Sequence, residues 1–381
     1  MQPVNFWTGR TGNRFGASTC CVFSLALVLA IAVGHVRAED AVASAVYVRT
    51  DSDHTVVVSP LARARKQLVD DTALEVTYTA DVWTSASVDI RASASKPVTE
   101  QRDELEGTVS HELTDLTLSG TYRYSVENDY TSHGAFAGAA YDFADNNATL
   151  ALNAFGLFDT VGRAGFPTFS RRLDTFGGRL SFTQVLDAQM LAQITYELAH
   201  MDGFMASPYR KVGIGGTGFG CVDAPLCLDE HEPSARTRHA AALVVRRALS
   251  DAFSVGASYR FIFDDWGLKS HTATLQLGLT LGRASLLALR YRFYTQTGVR
   301  FYQRVYAAPL ATGAYTTRDR EQSPMHDQRL GLDWEQKAHV AQGLDLAITT
   351  SVAGSIFEYD AFVGLAHAYA LELTLALALV R

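Results

Sequence analysis

Two short motifs place acidic residues close to a histidine, a combination that could bind a divalent cation or perform acid–base hydrolysis. One motif is "ENDYTSHG" (127–134) and the other is "DDWGLKSHT" (264–272). Both lie between segments of regular apolar alternation, so we predict that they are loop motifs. The side chains in them that could do chemistry are Asp129, Tyr130, His133, Asp264, Asp265, Trp266 and His271.

The rest of the sequence gives catalysis little support. It contains neither a G-x-S-x-G nucleophile elbow nor an H-E-x-x-H zinc motif. Serine and histidine are neighbours at Ser132-His133, but adjacent residues of a strand point to opposite faces and cannot form a dyad. We therefore predict no enzyme activity, no catalytic residue, no metal site and no cofactor. A hydrolase is therefore the least favoured function.

Two cysteines, Cys221 and Cys227, lie six residues apart in "GTGFGCVDAPLCLDEHEP" (216–233). In an exported protein, this spacing in a loop with glycine and proline favours a local disulfide. Two free thiols are the alternative. His231 and its neighbouring acids could add metal ligands, but no known structural zinc spacing fits.

The N-terminus resembles a processed export signal. Arg10 and Arg14 precede the apolar run "CCVFSLALVLAIAVG" (20–34), and Val36 and Ala38 suit the small-residue positions of a cleavage site. We predict that residues 1–38 are a signal peptide and that residues 39–381 form one mature domain. An uncleaved membrane anchor is the alternative.

After residue 40, apolar and polar residues alternate with a period of two, as in "TALEVTYTADVW" (72–83) and the C-terminal "ALELTLALALVR" (370–381). Such alternation is typical of strands with one apolar and one polar face. The sequence predicts sixteen strands, near 42–49, 55–67, 72–84, 103–113, 116–128, 133–144, 148–159, 172–186, 189–200, 235–249, 252–263, 270–282, 285–297, 326–337, 343–357 and 368–380.

The connections between these strands alternate between tight turns and mostly longer loops, the longest being 201–234 and 298–325. This pattern, together with strands longer than the roughly 9–11 residues that cross a bilayer, favours a membrane barrel over a soluble sandwich. The fold class predicted is all-β: a single antiparallel transmembrane β-barrel with short periplasmic turns and longer extracellular loops. A closed barrel leaves no unpaired strand edge, and hydrocarbon would cover the leucines of the last strand.

Composition agrees with this class. Charged residues make up 19% of the chain, below the roughly 25% of soluble domains. The net charge of −7 argues against a nucleic-acid partner.

The sequence resembles a family of proteobacterial proteins known only as a domain of unknown function and regarded as outer-membrane β-barrels. The similarity extends over about residues 55–340. The resemblance implies an outer-membrane location in a Gram-negative bacterium, but no established substrate. One difference is that the chain ends in Leu379-Val380-Arg381, whereas such barrels commonly end in an aromatic residue that helps assembly. The matching segments are "YTADVWTSAS" (78–87), "ENDYTSHG" (127–134), "TQVLD" (183–187), "MASPYRKV" (205–212), "SARTRHA" (234–240) and "DDWGLKSHT" (264–272).

The polar face of several strands carries charges, which we expect to face the lumen. Basic residues on one side of the lumen, opposite acidic residues, would create a transverse electric field that orients polar solutes and sets ion preference. The alternative is structural, with lumen charges that pair and stiffen the wall. The charges concerned are Glu75, Asp81, Arg123, Glu197, Arg246, Arg260, Arg290, Arg292 and Arg329.

From the sequence we predict a porin-like channel for small polar solutes. The alternative is a plugged barrel that acts as a scaffold or surface receptor through its long loops. The partners predicted are outer-membrane lipid and the barrel-assembly machinery.

Overall fold

The computed structural model describes residues 40–85, 98–341 and 343–380. The predicted signal peptide, residues 1–38, lies outside the described residues. Within the described part, each barrel strand pairs antiparallel with the next along the chain, and the last strand pairs with the first. The result is a closed barrel of sixteen strands, which confirms the predicted fold class. No helix in these three ranges is long and apolar enough to cross a membrane.

All sixteen predicted strands are present, with boundaries that differ by a few residues. Two short strands, β10 and β11, form a separate hairpin inside one long loop, so β9 pairs directly with β12 in the barrel. The strands are β1 Ala41–Asp51, β2 Thr55–Val69, β3 Thr72–Ser85, β4 Val98–Glu112, β5 Leu116–Val126, β6 Tyr130–Phe143, β7 Ala148–Val161, β8 Arg171–Asp187, β9 Met190–Gly203, β10 Lys211–Ile214, β11 Leu226–Asp229, β12 Ala235–Ala248, β13 Phe253–Asp264, β14 Lys269–Leu281, β15 Ser285–Gln296, β16 Met325–Ala341, β17 Leu344–Tyr359 and β18 His367–Val380.

The leucine-rich strand β18 shows how the alternation determines the two faces. Its neighbours are β17 and β1, and its register with β1 runs from Ala41↔Val380 to Asp51↔Ala370. Leu371 and Leu375 are 56% and 49% exposed, although both lie in the middle of a sheet. Side chains of this size are exposed on the outside of nearly every strand, as a hydrocarbon-covered surface requires.

Aromatic residues cluster on this outer face near both ends of the barrel. Near the end where β1 begins and β18 ends, Tyr141 stacks on Phe143 with ring centroids 5.9 Å apart. Near the other end, Phe261 stacks on Phe263 at 5.7 Å. Two aromatic bands separated by an aliphatic band are characteristic of barrels that cross a membrane.

The two ends of the barrel differ in their connections. The turn end holds the start of β1 at Ala41, the end of β18 at Val380, and short connections such as 70–71 and 188–189. The opposite end, called the loop end, has connections that we number in chain order. Those within the described residues are L1 52–54, L3 127–129, L4 162–170, L5 204–234, L6 265–268, L7 297–324 and L8 360–366, whereas residues 86–97 (L2) lie outside the described residues.

Candidate functional site

The polar faces of the strands point into the barrel and form its lumen wall. On β13, Arg260 lies between Tyr259 and Phe261, whose rings contact His271 on the outer face. On β18, Glu372 lies between the exposed Leu371 and Leu373. The same alternation places every charge predicted for the lumen on the inner face.

Most of these inner charges form cross-strand ion pairs. Every predicted lumen charge except Arg246 belongs to such an ion pair, so most charges on the described lumen wall are neutralised by a partner on another strand. Three pairs are Arg63–Glu75, Arg102–Asp81 and Arg260–Glu197. The others, with their nitrogen–oxygen distances, are Arg123–Glu104 (3.9 Å), Arg179–Glu197 (2.7 Å), Arg290–Asp333 (3.0 Å), Arg292–Asp327 (2.6 Å) and Arg329–Glu372 (2.8 Å).

The paired arginines remain accessible to solvent. The side chains of Arg179, Arg260 and Arg290 are 57%, 46% and 40% exposed. A lumen filled by side chains would bury them, since interiors pack to the density of organic crystals. At the level of these residues, therefore, the interior holds solvent-accessible space.

The motif "DDWGLKSHT" anchors the hairpin β13–β14 to its neighbours. The buried carboxylate of Asp264 accepts hydrogen bonds from Arg236 Nε at 2.9 Å and from the backbone N–H of Leu268 at 2.9 Å. The Asp265 carboxylate accepts one from the backbone N–H of Thr237 at 3.0 Å. These contacts join L6 to the first residues of β12.

Trp266 completes the same anchor. Its indole N–H donates to the carbonyl of Ala235 at 2.8 Å, and the guanidinium of Arg236 lies 4.3 Å from a ring centroid. On its other side it packs edge-on against Phe301 of L7, with centroids 5.3 Å apart. Trp266 thus ties L6 to L7, which supports a structural role for the motif.

Four of the residues predicted as loop motifs lie in strands. Tyr130 and His133 belong to β6, Asp264 ends β13, and His271 belongs to β14. His133 and His271 lie within the predicted strands 133–144 and 270–282, whereas Tyr130 and Asp264 were predicted in loops. The loop prediction was wrong for these two because L3 and L6 are short, so the flanking strands extend further into both motifs. Only Asp129, Asp265 and Trp266 lie in connections.

The acids and histidines of the motifs do not converge. His271 and His133 face outward, hydrogen-bonded through Nδ1 to the hydroxyls of Tyr259 at 2.6 Å and Tyr122 at 2.8 Å. Tyr130 donates to the Asp159 carboxylate at 2.5 Å. In the described ranges, no group of three or more His, Cys, Asp or Glu side chains could hold a metal ion.

The long loops pack into a cap over the loop end, defined here as L5, L7 and L8. Cys221 and Cys227 are joined by a disulfide in L5, as predicted. Buried Val212 and Ile214 of β10 pack against Tyr306 of L7. The cap therefore has a small hydrophobic core of its own.

L5 extends across the mouth of the barrel. Near its start, the hydroxyl of Tyr209 donates to the carboxylate of Asp129 in L3 and accepts from the backbone N–H of Ala164 in L4 at 2.6 Å. Further along, Phe219 packs against the cluster around Phe362 of L8. One loop thus joins connections on both sides of the opening.

Arg318 and Arg320 of L7 are further structural residues that the sequence did not indicate. The buried guanidinium of Arg318 donates to the carbonyls of Gly218 in L5 and, at 2.9 Å, Val363 in L8. Its centre lies 4.8 Å from the ring centroid of Phe362. Arg320 pairs with buried Asp53 of L1 at 2.5 Å. Only the length of L7 suggested that it folds, and no motif marks these arginines.

Two acids of L5, Glu230 and Glu232, lie within the cap. Burial raises the pKa of the Glu230 carboxyl, although Arg210 lies 3.2 Å away and lowers it. Burial and the charge of Glu230 raise the pKa of Glu232 to about 7. The neutral form of Glu232 is therefore accessible near neutral pH.

Solved structures with similar folds are outer-membrane proteins. A bacterial polysaccharide outer membrane secretin matches with a TM-score of 0.53 and 9% identity, over 91% of this chain and 99% of its own. The CymD monoaromatic hydrocarbon channel gives a TM-score of 0.42 and 9% identity, over 91% and 89% of the two chains. OccK3 (OpdO) of Pseudomonas aeruginosa matches with a TM-score of 0.41 and 11% identity, over 89% of this chain and 95% of its own. At these identities the likeness concerns the fold alone.

The family comparison is more specific to this sequence. Among curated proteins, none matches the chain. A family model described as "Protein of unknown function (DUF3570)" matches residues 90–173 and 170–350, which is more than half of the chain. The match confirms the resemblance found in the sequence. The protein is an outer-membrane-type β-barrel that belongs to the DUF3570 family.

Proposed function

We propose that the protein spans the outer membrane and conducts small polar solutes through its lumen, with the cap restricting entry at the loop end. The main support is the solvent exposure of the lumen guanidiniums of Arg179, Arg260 and Arg290. A sixteen-stranded barrel is wide enough to enclose an aqueous channel. The loop end would face outward and the turn end the periplasm.

Conductance of the purified protein in planar bilayers tests this proposal. We expect discrete current steps, which become larger when residues 205–233 of L5 are replaced by a short Gly/Ser linker. The larger steps would follow because the linker removes the loop that crosses the mouth. As a matched control, replacing residues 282–284 at the turn end should leave the step size unchanged.

A surface receptor or scaffold is the second candidate, favoured by the folded cap. Its disulfide and its buried core of Val212, Ile214 and Tyr306 give it a fixed outer surface. The L5 replacement distinguishes the two functions. A correctly folded barrel that stays non-conducting after L5 is removed would exclude the channel and favour the scaffold.

A hydrolase has no comparable support. The acids of the two motifs are bound in structural contacts, and the histidines face outward. We therefore propose no catalytic function for them.

A further inference from the structure

Two arginines of β12 differ from the paired lumen arginines because they form no ion pair with a described carboxylate. Arg238 and Arg246 lie on the inner face, since His239 and Leu243 belong to the opposite, outward face. Neither has a carboxylate oxygen within 4.0 Å among residues 40–85, 98–341 and 343–380. The carboxylate opposite Arg238, Asp264, is already bound by Arg236. Both arginines therefore carry charge that the wall does not neutralise.

The neighbouring ion pair adds to this excess. The single carboxylate of Glu197 is shared by Arg179 and Arg260. Together with Arg238 and Arg246, four guanidiniums on β8, β12 and β13 thus have between them the one carboxylate of Glu197, which lies on β9 between β8 and β12. We call these four arginines the basic wall. Positive charge in a confined, low-dielectric surrounding raises the local concentration of anions.

Arg246 also borders an open cavity of about 370 Å³ at the turn end. Ser254 and Gln276 line it from the lumen side, where they offer a hydroxyl and an amide group. Asp187 also lines the cavity and opposes an anion there, with its carboxylate accepting a hydrogen bond from the backbone N–H of Gln189 at 2.7 Å, but the cavity is bordered by two arginines, Arg246 and Arg247.

We propose that the basic wall binds small oxyanions, such as phosphate or carboxylate-bearing solutes, and that Arg246 is the first site at the turn end. A guanidinium binds such groups through two parallel hydrogen bonds. Arg238 provides a second site nearer the cap, eight positions further up the same strand. This inference rests on the proposed channel function, which it narrows to anionic solutes.

Ion selectivity of the Arg246→Gln variant tests the inference. With a KCl gradient across a planar bilayer, the wild-type protein should prefer chloride over potassium, and inorganic phosphate should block the chloride current. In R246Q, the chloride preference should fall several-fold and half-block should need about tenfold more phosphate, equivalent to about 1.4 kcal/mol. The matched control is Arg283→Gln, in the exposed turn after β14, which should behave like wild type.

A second variant separates a solute site from a lipid site. Arg247 borders the same cavity but lies on the outward side of β12, where a lipid phosphate would bind. If Arg247→Gln abolishes phosphate binding while R246Q does not, the site belongs to lipid and the inference is overturned. Unchanged selectivity and block in R246Q, or a cation-selective wild type, would overturn it as well.

A binding measurement keeps this test independent of conduction. Isothermal titration calorimetry of inorganic phosphate with the detergent-solubilised barrel needs no current. Heat of binding that disappears in R246Q supports the site even if no current is seen, in which case the channel proposal alone fails. Equal binding by wild type and R246Q contradicts the site.

Discussion

At the scale of single residues, the acidic motifs position loops. Asp264, Asp265 and Trp266 form five contacts that hold L6 and the end of β13 against β12 and L7. The residue types alone suggested acid–base or cation chemistry. Their structural role depends on partners distant in sequence, such as Arg236 and Phe301, which no local spacing reveals.

The lumen charges were easier to predict. Strand alternation alone placed Glu197, Arg246 and Arg260 on the inner face. Alternation could not show that two arginines share Glu197, or that Arg246 belongs to none of the ion pairs of the described wall. Ion pairing depends on the register between strands, which alternation does not reveal.

The acid Glu232 should make the cap sensitive to pH. It faces Glu230 in its own loop and Thr317, Asp319 and Gln322 in L7, and its folded-state pKa is raised from 4.5 to about 7. Between these values the folded cap binds more protons than the unfolded loop, so cap stability falls as the pH rises through this window. The contribution of Glu232 to cap stability should be fully present below the lower value and lost above the higher one.

Glu232→Gln should remove most of this dependence. Hydrogen exchange of L5 and L7 amides, corrected for intrinsic rates, should show more protection at about pH 5 than at about pH 8 in wild type. In E232Q the protection should change little between the two. The exposed Glu112→Gln at the turn end is the control and should keep the wild-type dependence. A wild-type profile in E232Q would contradict the assignment.

At the scale of elements, the period-two pattern predicted all sixteen barrel strands because each has one lipid-facing and one lumen-facing side. The short hairpin β10–β11 was not predicted, since strands of four residues are too short for alternation to be recognised. The start of β4 was also placed too late, at 103 instead of Val98, because its loop-end residues are polar on both faces.

At the scale of elements, Arg318 is predicted to hold the loops of the cap together. Its two carbonyl hydrogen bonds join L7 to L5 and L8, and hydrogen bonds of charged groups contribute about 1.5–3 kcal/mol each. Arg318→Ala should therefore raise the open population and increase protease cleavage within L5 and L7 at least about tenfold. The barrel strands should remain protected.

The exposed Arg304→Ala, in the same loop, is the matched control and should be cleaved like wild type. If R318A is no more sensitive than R304A, Arg318 does not hold the cap closed.

At the scale of the whole molecule, one layer of strands separates two different media. The outer face carries exposed leucines and aromatic bands, and the inner face carries accessible ion pairs. The sequence predicted both faces. It did not predict the closed arrangement of the loops. The three loops of the cap contact one another and also L1, L3, L4 and L6, and these connections are distant in sequence.

The most direct test compares two neighbouring residues at mid-height of β14. Thr274 faces the lumen opposite Ser258 and Arg292, whereas Leu275 is on the outer face and 47% exposed. Each is replaced by cysteine in protein reconstituted into liposomes, and a charged, membrane-impermeant thiol reagent is added. We predict that Thr274→Cys is modified and Leu275→Cys is not, because the reagent enters water but not hydrocarbon. Modification of Leu275→Cys with protection of Thr274→Cys would contradict the membrane-spanning, water-filled barrel.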